Sequence, residues 1–200
     1  MGLLDSLLGR SKPRPARLDA LFGVPSAALT LQTSAGWVPT GDGAVCYRAA
    51  AGPAFAQTQS DVVALLRSTG QAPAVRVSDD GFGFTWLEVD HEPYDPTTGD
   101  LGSLCTDLHA VNTSLEEAGF GPALLCSVVP FQNAAGATLG LVYLYKQGTF
   151  YPFAPVGGAG ERRRDNLTEL AVRDLLAQDL PVEQDTSRWL ALWDAPGVTV

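Results

Sequence analysis

Histidine, lysine and cysteine are all scarce in this 200-residue chain. It has two His (His91, His109), two Lys (Lys12, Lys146) and three Cys (Cys46, Cys105, Cys126). A catalytic zinc site normally takes three protein ligands, His among them. There is no His-x-x-x-His and no Cys-x-x-Cys spacing, so the sequence supplies no metal centre and no cofactor site is expected. The net charge is −9. A nucleic-acid partner demands clustered Lys and Arg against its phosphates, so none is expected. No window reaches the roughly 18 uninterrupted apolar residues of a membrane-spanning helix. The start, Met1-Gly-Leu-Leu-Asp5, is too short in its apolar run and has the wrong charge order for a signal peptide.

What is present describes an ordinary folded protein. Hydrophobic residues make up 46% and charged residues 18%, outside the range of disordered chains. A chain of this length buries roughly 70% of its unfolded surface, enough for a core without staples. The three cysteines sit in apolar runs and are expected as buried thiols of a cytoplasmic protein. Arg10, Lys12, Arg14 and Arg17 against Asp5 and Asp19 give residues 1–20 a charge of +2. That leaves −11 for the remainder. Leu3, Leu4, Leu7 and Leu8 fall at helical spacing ahead of this basic, proline-broken stretch. Residues 1–24 are therefore expected as an amphipathic and basic leader, and 25–200 as one domain. The leader resembles a weak anchor, giving residues 1–17 a marginal contact with a membrane surface or a partner helix.

Periodicity predicts the elements. Ser26–Gln32 and Ala44–Arg48 read as short strands, and Phe55–Ser68 as a helix. Val75–Ser78 and Phe82–Asp90 read as a hairpin whose turn takes its φ > 0 residue from Gly81. Asp100 is the expected N-cap of a helix carrying Leu101, Leu104, Leu108, Val111, Leu115 and Ala118, stopped by Gly119. Strands follow at Ala123–Phe131 and Thr138–Lys146, the second apolar on both faces and so covered on both. After a glycine-rich turn, Arg163–Gln178 reads as a helix with Leu167, Leu170, Ala171 and Asp174 or Leu175 inward. Hairpins alternating with helices predict an α+β fold, an antiparallel sheet with helices packed mainly on one face.

Three constellations bear on chemistry. Cys105 and His109 lie four apart on one helix, the beginning of a thiol–imidazole site, but catalytic pairs converge from separate elements. The simpler reading puts Cys105 in the core. Asp90-His91-Glu92 reads as a solvated strand exit more readily than as a metal site. Gly157-Gly-Ala-Gly-Glu-Arg-Arg-Arg164 lacks the Gly-Lys-Ser/Thr ending of a phosphate-binding loop, so Arg162 and Arg163 are expected to face solvent or an acidic partner. With no convincing active site, the chain is not expected to be an enzyme. The aromatic block Tyr143–Pro155 holds five of the thirteen Phe and Tyr. Its first half reads as core strand. Phe150, Tyr151 and Phe153, broken by prolines, are expected on a partner surface together with Trp189 and Trp193.

Several segments together resemble the PspA-associated PspAB family. They are Met1-Gly-Leu-Leu-Asp5, Leu7-Leu-Gly-Arg10, Leu18-Asp-Ala-Leu-Phe22, Gly41-Asp-Gly-Ala-Val-Cys46, Thr106-Asp-Leu-His-Ala-Val-Asn112, Gly119-Phe-Gly-Pro122, Leu124-Leu-Cys126, Tyr143–Pro155, Glu161-Arg-Arg163, Asp165-Asn166 and Ser187-Arg-Trp189. They span nearly the whole chain. The resemblance implies an accessory role beside PspA, a membrane-binding envelope-stress protein of the phage-shock response. It carries over no catalytic, cofactor or metal residue. The expected function is a non-catalytic adaptor acting through contacts with PspA or other envelope-stress proteins. The alternatives are a chaperone-like module peripheral to the inner face of the cell membrane, and a thiol enzyme using Cys105 and His109.

Overall fold

A computed structural model describes residues 17–68, 72–91, 94–95, 101–157 and 161–199. The chain enters through a short 3-10 helix at Leu18–Gly23 and continues into α1 (Val24–Ala35). This corrects the strand expected at Ser26–Gln32. The segment holds Ala27, Ala28 and Leu31 on one buried face, a helical spacing, and Gly36 ends it with φ 71°. Leu18, Leu21 and Val24 are buried in the main core, so part of the expected leader packs with the domain. The leucines expected as an anchor (Leu3, Leu4, Leu7, Leu8) lie outside the described residues.

The sheet then forms from β1 (Val38–Pro39), β2 (Asp42–Tyr47), β3 (Ala74–Asp79), β4 (Thr85–Asp90), β5 (Leu124–Gln132), β6 (Thr138–Leu144) and β7 (Thr149–Phe153). Among the described residues it has seven strands, all antiparallel, in the order β3-β4-β2-β5-β6-β7, with β1 beside β5. The expected α+β architecture holds. In the β3–β4 turn, the positive φ falls on Gly83 and not on Gly81. Asp80 Oδ1 accepts from the backbone N–H groups of Phe82 and Phe84 at 2.8 and 2.9 Å. That side-chain bonding fixes the loop two residues later than the Asp-Gly pattern suggested.

The helices α2 (Pro53–Arg67), α3 (Gly102–Leu115) and α4 (Asn166–Leu175) complete the order with α1. They pack on one face of the sheet. There Leu31, Leu66, Leu104, Leu108 and Val111 meet Val45, Leu87, Val129, Leu141 and Tyr143 in the main core. The α3 leucines point inward as their spacing predicts, and a single turn through Glu116–Phe120 ends at Gly119 with φ 86°. Ala118 falls in that turn and is exposed. Asp100 lies outside the described residues.

The opposite face is covered by the chain's own end. A strap of largely irregular structure, residues 181–199, lays Trp189, Ala195 and Val198 over Ala44, Cys46, Trp86, Cys126, Val128, Val142, Tyr151 and Phe153. All seven residues of β6 are consequently buried, as its two apolar faces predict. The strap also bonds along the free edge of β7. Phe150 N–H donates to Pro181 O at 2.8 Å, and Glu183 N–H donates to Phe150 O at 2.7 Å.

The aromatic residues expected on a partner surface are therefore core. Phe150, Tyr151 and Phe153 are fully buried, and Trp189 is 7% exposed. Trp189 stacks on Tyr151 with ring centroids 5.8 Å apart, and the partly buried Trp193 meets Phe153 edge-on at 5.1 Å. Pro152 does not break the ladder, because a strand at the sheet's border tolerates a residue with no N–H. Two buried tyrosines separate packing from hydrogen bonding. Tyr151 Oη donates to Leu190 O at 3.0 Å, whereas the Tyr143 hydroxyl has no partner among the described residues. Burial, and next the charge of Glu116, push the Tyr143 hydroxyl up to about 12. Tyr143→Phe should leave stability unchanged or raise it by up to about 1 kcal/mol, and Tyr151→Phe should lower it by about 1 kcal/mol. Denaturant unfolding of the two variants distinguishes these signs.

Candidate functional site

The residue that decides the molecule's outer surface is Glu169, an acid 2% exposed on α4. Arg164 precedes the helix in β9 (Arg163–Arg164), which pairs with β8 (Pro155–Val156). Its Nε donates to both Glu169 oxygens, at 2.9 and 3.1 Å. Glu169 Oε1 also accepts from the Ala154 N–H at 2.9 Å. The same guanidinium donates to Trp189 O at 2.7 Å and lies over Phe153 at 5.1 Å. One ion pair thus joins α4, the end of β7 and the strap. Asp165 caps the helix between the two partners by accepting from Thr168 N–H at 3.1 Å and Thr168 Oγ1 at 2.7 Å. The Thr168 hydroxyl, and next its N–H, hold the Asp165 carboxyl below its usual range.

Glu169 inward fixes the rest of the helix by its 3.6-residue period. Val172 and Leu176 follow it into the core. The stripe expected to face inward faces out instead: Leu167 is 83% exposed, Leu170 37%, and Ala171 and Asp174 are exposed. Leu175 is half-buried. Sequence periodicity identified a real apolar stripe and gave it the wrong direction, because an Arg–Glu pair five residues apart does not show in an apolar count. The neighbouring α1 presents Leu29, 61% exposed, and is tied to the end of the 3-10 turn that follows α4 (Leu176–Gln178) by Ser26 Oγ donating to Asp179 Oδ1 at 3.1 Å. Arg162 and Arg163 sit beside the helix start as expected, exposed and paired with Asp194 at 2.6 Å and Glu161 at 3.0 Å. Residues 158–160 of the glycine-rich turn lie outside the described residues.

The other constellations disperse. Cys105 is fully buried among the α3 leucines. His109 turns the other way, toward Asp19 at 3.5 Å and the Phe22 ring at 5.0 Å. Asn112 turns to the sheet, where its Nδ2 donates to Ser127 Oγ at 2.9 Å. His91 Nε2 meets Asp107 Oδ2 at 2.8 Å, and Asp90 lies opposite Asp42 across the β2–β4 pair. Glu92 lies outside the described residues. No cluster of three or more His, Cys, Asp and Glu suited to a metal ion occurs among the described residues. Nor is any helix among them long and apolar enough to cross a membrane.

Sheet, helical layer and strap together define an α+β protein with an outward apolar stripe on α4. The chain belongs to the PspAB family, PspA associated protein B, whose family model matches residues 1–197. Comparison with curated proteins and with solved structures finds no match.

Two measurements follow from the site. Glu169→Ala leaves Arg164 without its carboxylate and should cost about 3–5 kcal/mol, whereas Arg164→Met/Glu169→Leu together should cost less than Glu169→Ala alone. Chemical denaturation of both variants checks the ordering. The second concerns Asp42. Burial, then a hydrogen bond and charge from Asp90, push its carboxyl up to about 6, against opposing effects of Thr40 and His91. A carboxyl raised on folding binds its proton more tightly in the folded state. Stability is therefore lost as pH rises from about 4 through about 6. Asp42→Asn should be the more stable protein at neutral pH, and its advantage should shrink as pH falls through that window. Unfolding free energies of the two proteins between pH 4 and 8 test this.

Proposed function

We propose that the protein is a non-catalytic accessory of PspA that docks a partner helix on the outward stripe of α4. The observation that carries this reading is the pairing of an 83% exposed Leu167 with a buried Glu169 on one ten-residue helix. Leu167, Leu170, Ala171 and Asp174 recur at three and four, the spacing at which one helix meets another. Covering a leucine recovers about 1.5–3 kcal/mol per side chain, which the free protein forgoes here. The exposed pairs Arg162–Asp194 and Arg163–Glu161 contribute little in water, so both arginines are free to exchange onto carboxylates of a partner. Membership in a family described by its association with PspA supports PspA as that partner. The dispersal of Cys105 from His109 supports a role without catalysis, since a thiol at 0% exposure meets no substrate.

The test uses purified PspA and the purified full chain. Leu167→Glu/Leu170→Glu should keep the melting behaviour within about 0.5 kcal/mol of wild type and lose PspA binding. Leu65→Glu, at an exposed leucine on α2, should retain it. Binding of the double variant at wild-type affinity, or no binding by the wild type, contradicts the proposal.

A further inference from the structure

Cys46 and Cys126 are partners on one rung of the sheet, opposite each other across β2 and β5. The rung runs Trp86, Cys46, Cys126, Leu144 through β4, β2, β5 and β6. Both thiols point to the strap-covered face, where they pack with Tyr151 and Trp189. They are 3% and 1% exposed. Opposed residues of an antiparallel pair have Cα atoms about 4.5–5.5 Å apart. A disulfide accepts about 4.4–6.8 Å, so this rung falls inside its range. The ladder shifts register immediately after Cys46, which gives β2 local freedom to close the remaining gap between the side chains.

We propose that Cys46 and Cys126 are a site of reversible two-electron oxidation by peroxide, gated by the C-terminal strap. The thiolate of one cysteine attacks a peroxide oxygen and breaks the O–O bond, giving a sulfenic acid and hydroxide, which takes up the thiol proton as water. The second thiol attacks the sulfenic sulfur, forms the S–S bond and releases a second water. One peroxide and two thiols give one disulfide and two waters. A thiolate is the reacting species. Hydrogen bonding to Cys46, and next burial, raise the Cys126 thiol well above its usual value, and burial keeps peroxide from both thiols while the strap is down.

The strap is the layer whose opening exposes the pair. Between Trp189 and Thr199 it contributes no strand to the sheet. Among the described residues its polar attachments there to the rest of the fold are few: Tyr151 Oη to Leu190 O, Arg164 to Trp189 O, Arg162 to Asp194 and Thr138 Oγ1 to Thr199 O. Segments held by few bonds open locally at low cost. A cross-strand disulfide carries strain, and strained disulfides are the easily reduced ones, which makes the oxidation reversible by a dithiol.

The experiment treats the reduced full-length protein with hydrogen peroxide and follows thiols per chain after denaturation, with peptide mapping of any link. The expected result is a fall from three thiols to one, a Cys46–Cys126 link within one chain, and recovery of three thiols with dithiothreitol. Trp189→Ala should form the same link roughly tenfold faster or more, because access follows the population of the open strap. Trp193→Ala, at a half-buried position, serves where the larger truncation does not fold, and should also accelerate the reaction. Three persisting thiols, a link to Cys105 or between chains, or equal rates in wild type and strap variants overturns the proposal. Oxidation through the unfolded chain is excluded by the same map, since it would draw Cys105 into the linkage.

Discussion

The ion pair between Arg164 and Glu169 is the constraint on which the outer surface depends. It places a carboxylate where an apolar side chain would ordinarily sit and satisfies it with a guanidinium and the Ala154 N–H. A buried pair of this kind is weak evidence for stability, because desolvation consumes much of the attraction. Its consequence here is orientation. Once Glu169 faces the sheet, helical period turns Leu167 and Leu170 to solvent, and no rotation of α4 buries both sets. The second partner, Arg164, also holds Trp189 O, so the helix face and the strap are set by one residue.

The sheet has two unlike coverings. The helices α1 to α4 close one face, largely with aliphatic side chains, and the strap closes the other with Trp189, Ala195 and Val198. That division explains how a chain so rich in aromatics near its end leaves few of them exposed. Phe150 enters the helical core, while Tyr151 and Phe153, on the alternate face of β7, take up the strap's two tryptophans. Alternation along one strand thus feeds both cores.

Much of this was legible in the residues. The doubly apolar β6, the inward leucines of α3 and the hairpin around Asp80 follow from periods of 2 and 3.6. Ser26–Gln32 was misread because Ala-Ala-Leu-Thr-Leu satisfies both periods over so short a run. Burial of Phe150–Phe153 was missed because the tail that covers it comes about forty residues later, and no local pattern encodes that contact. The direction of the α4 stripe was hidden for a related reason. Its apolar periodicity is genuine, but the sign is decided by Arg164, outside the helix. The facing of Cys46 and Cys126 depends on sheet order, since β2 and β5 meet only because β2 inserts between β4 and β5. Membership of the PspAB family gives the outward stripe a context in association with PspA.

Hydroxyl-radical footprinting of side chains on the folded protein tests the central claim most directly, because it reports which face of α4 meets water. The account predicts rapid labelling of Leu167 and Leu170, protection of Val172 and Leu176, and suppression of the leucine labelling by purified PspA. Protected Leu167 and Leu170 in the free protein, with Val172 and Leu176 labelled, would contradict it.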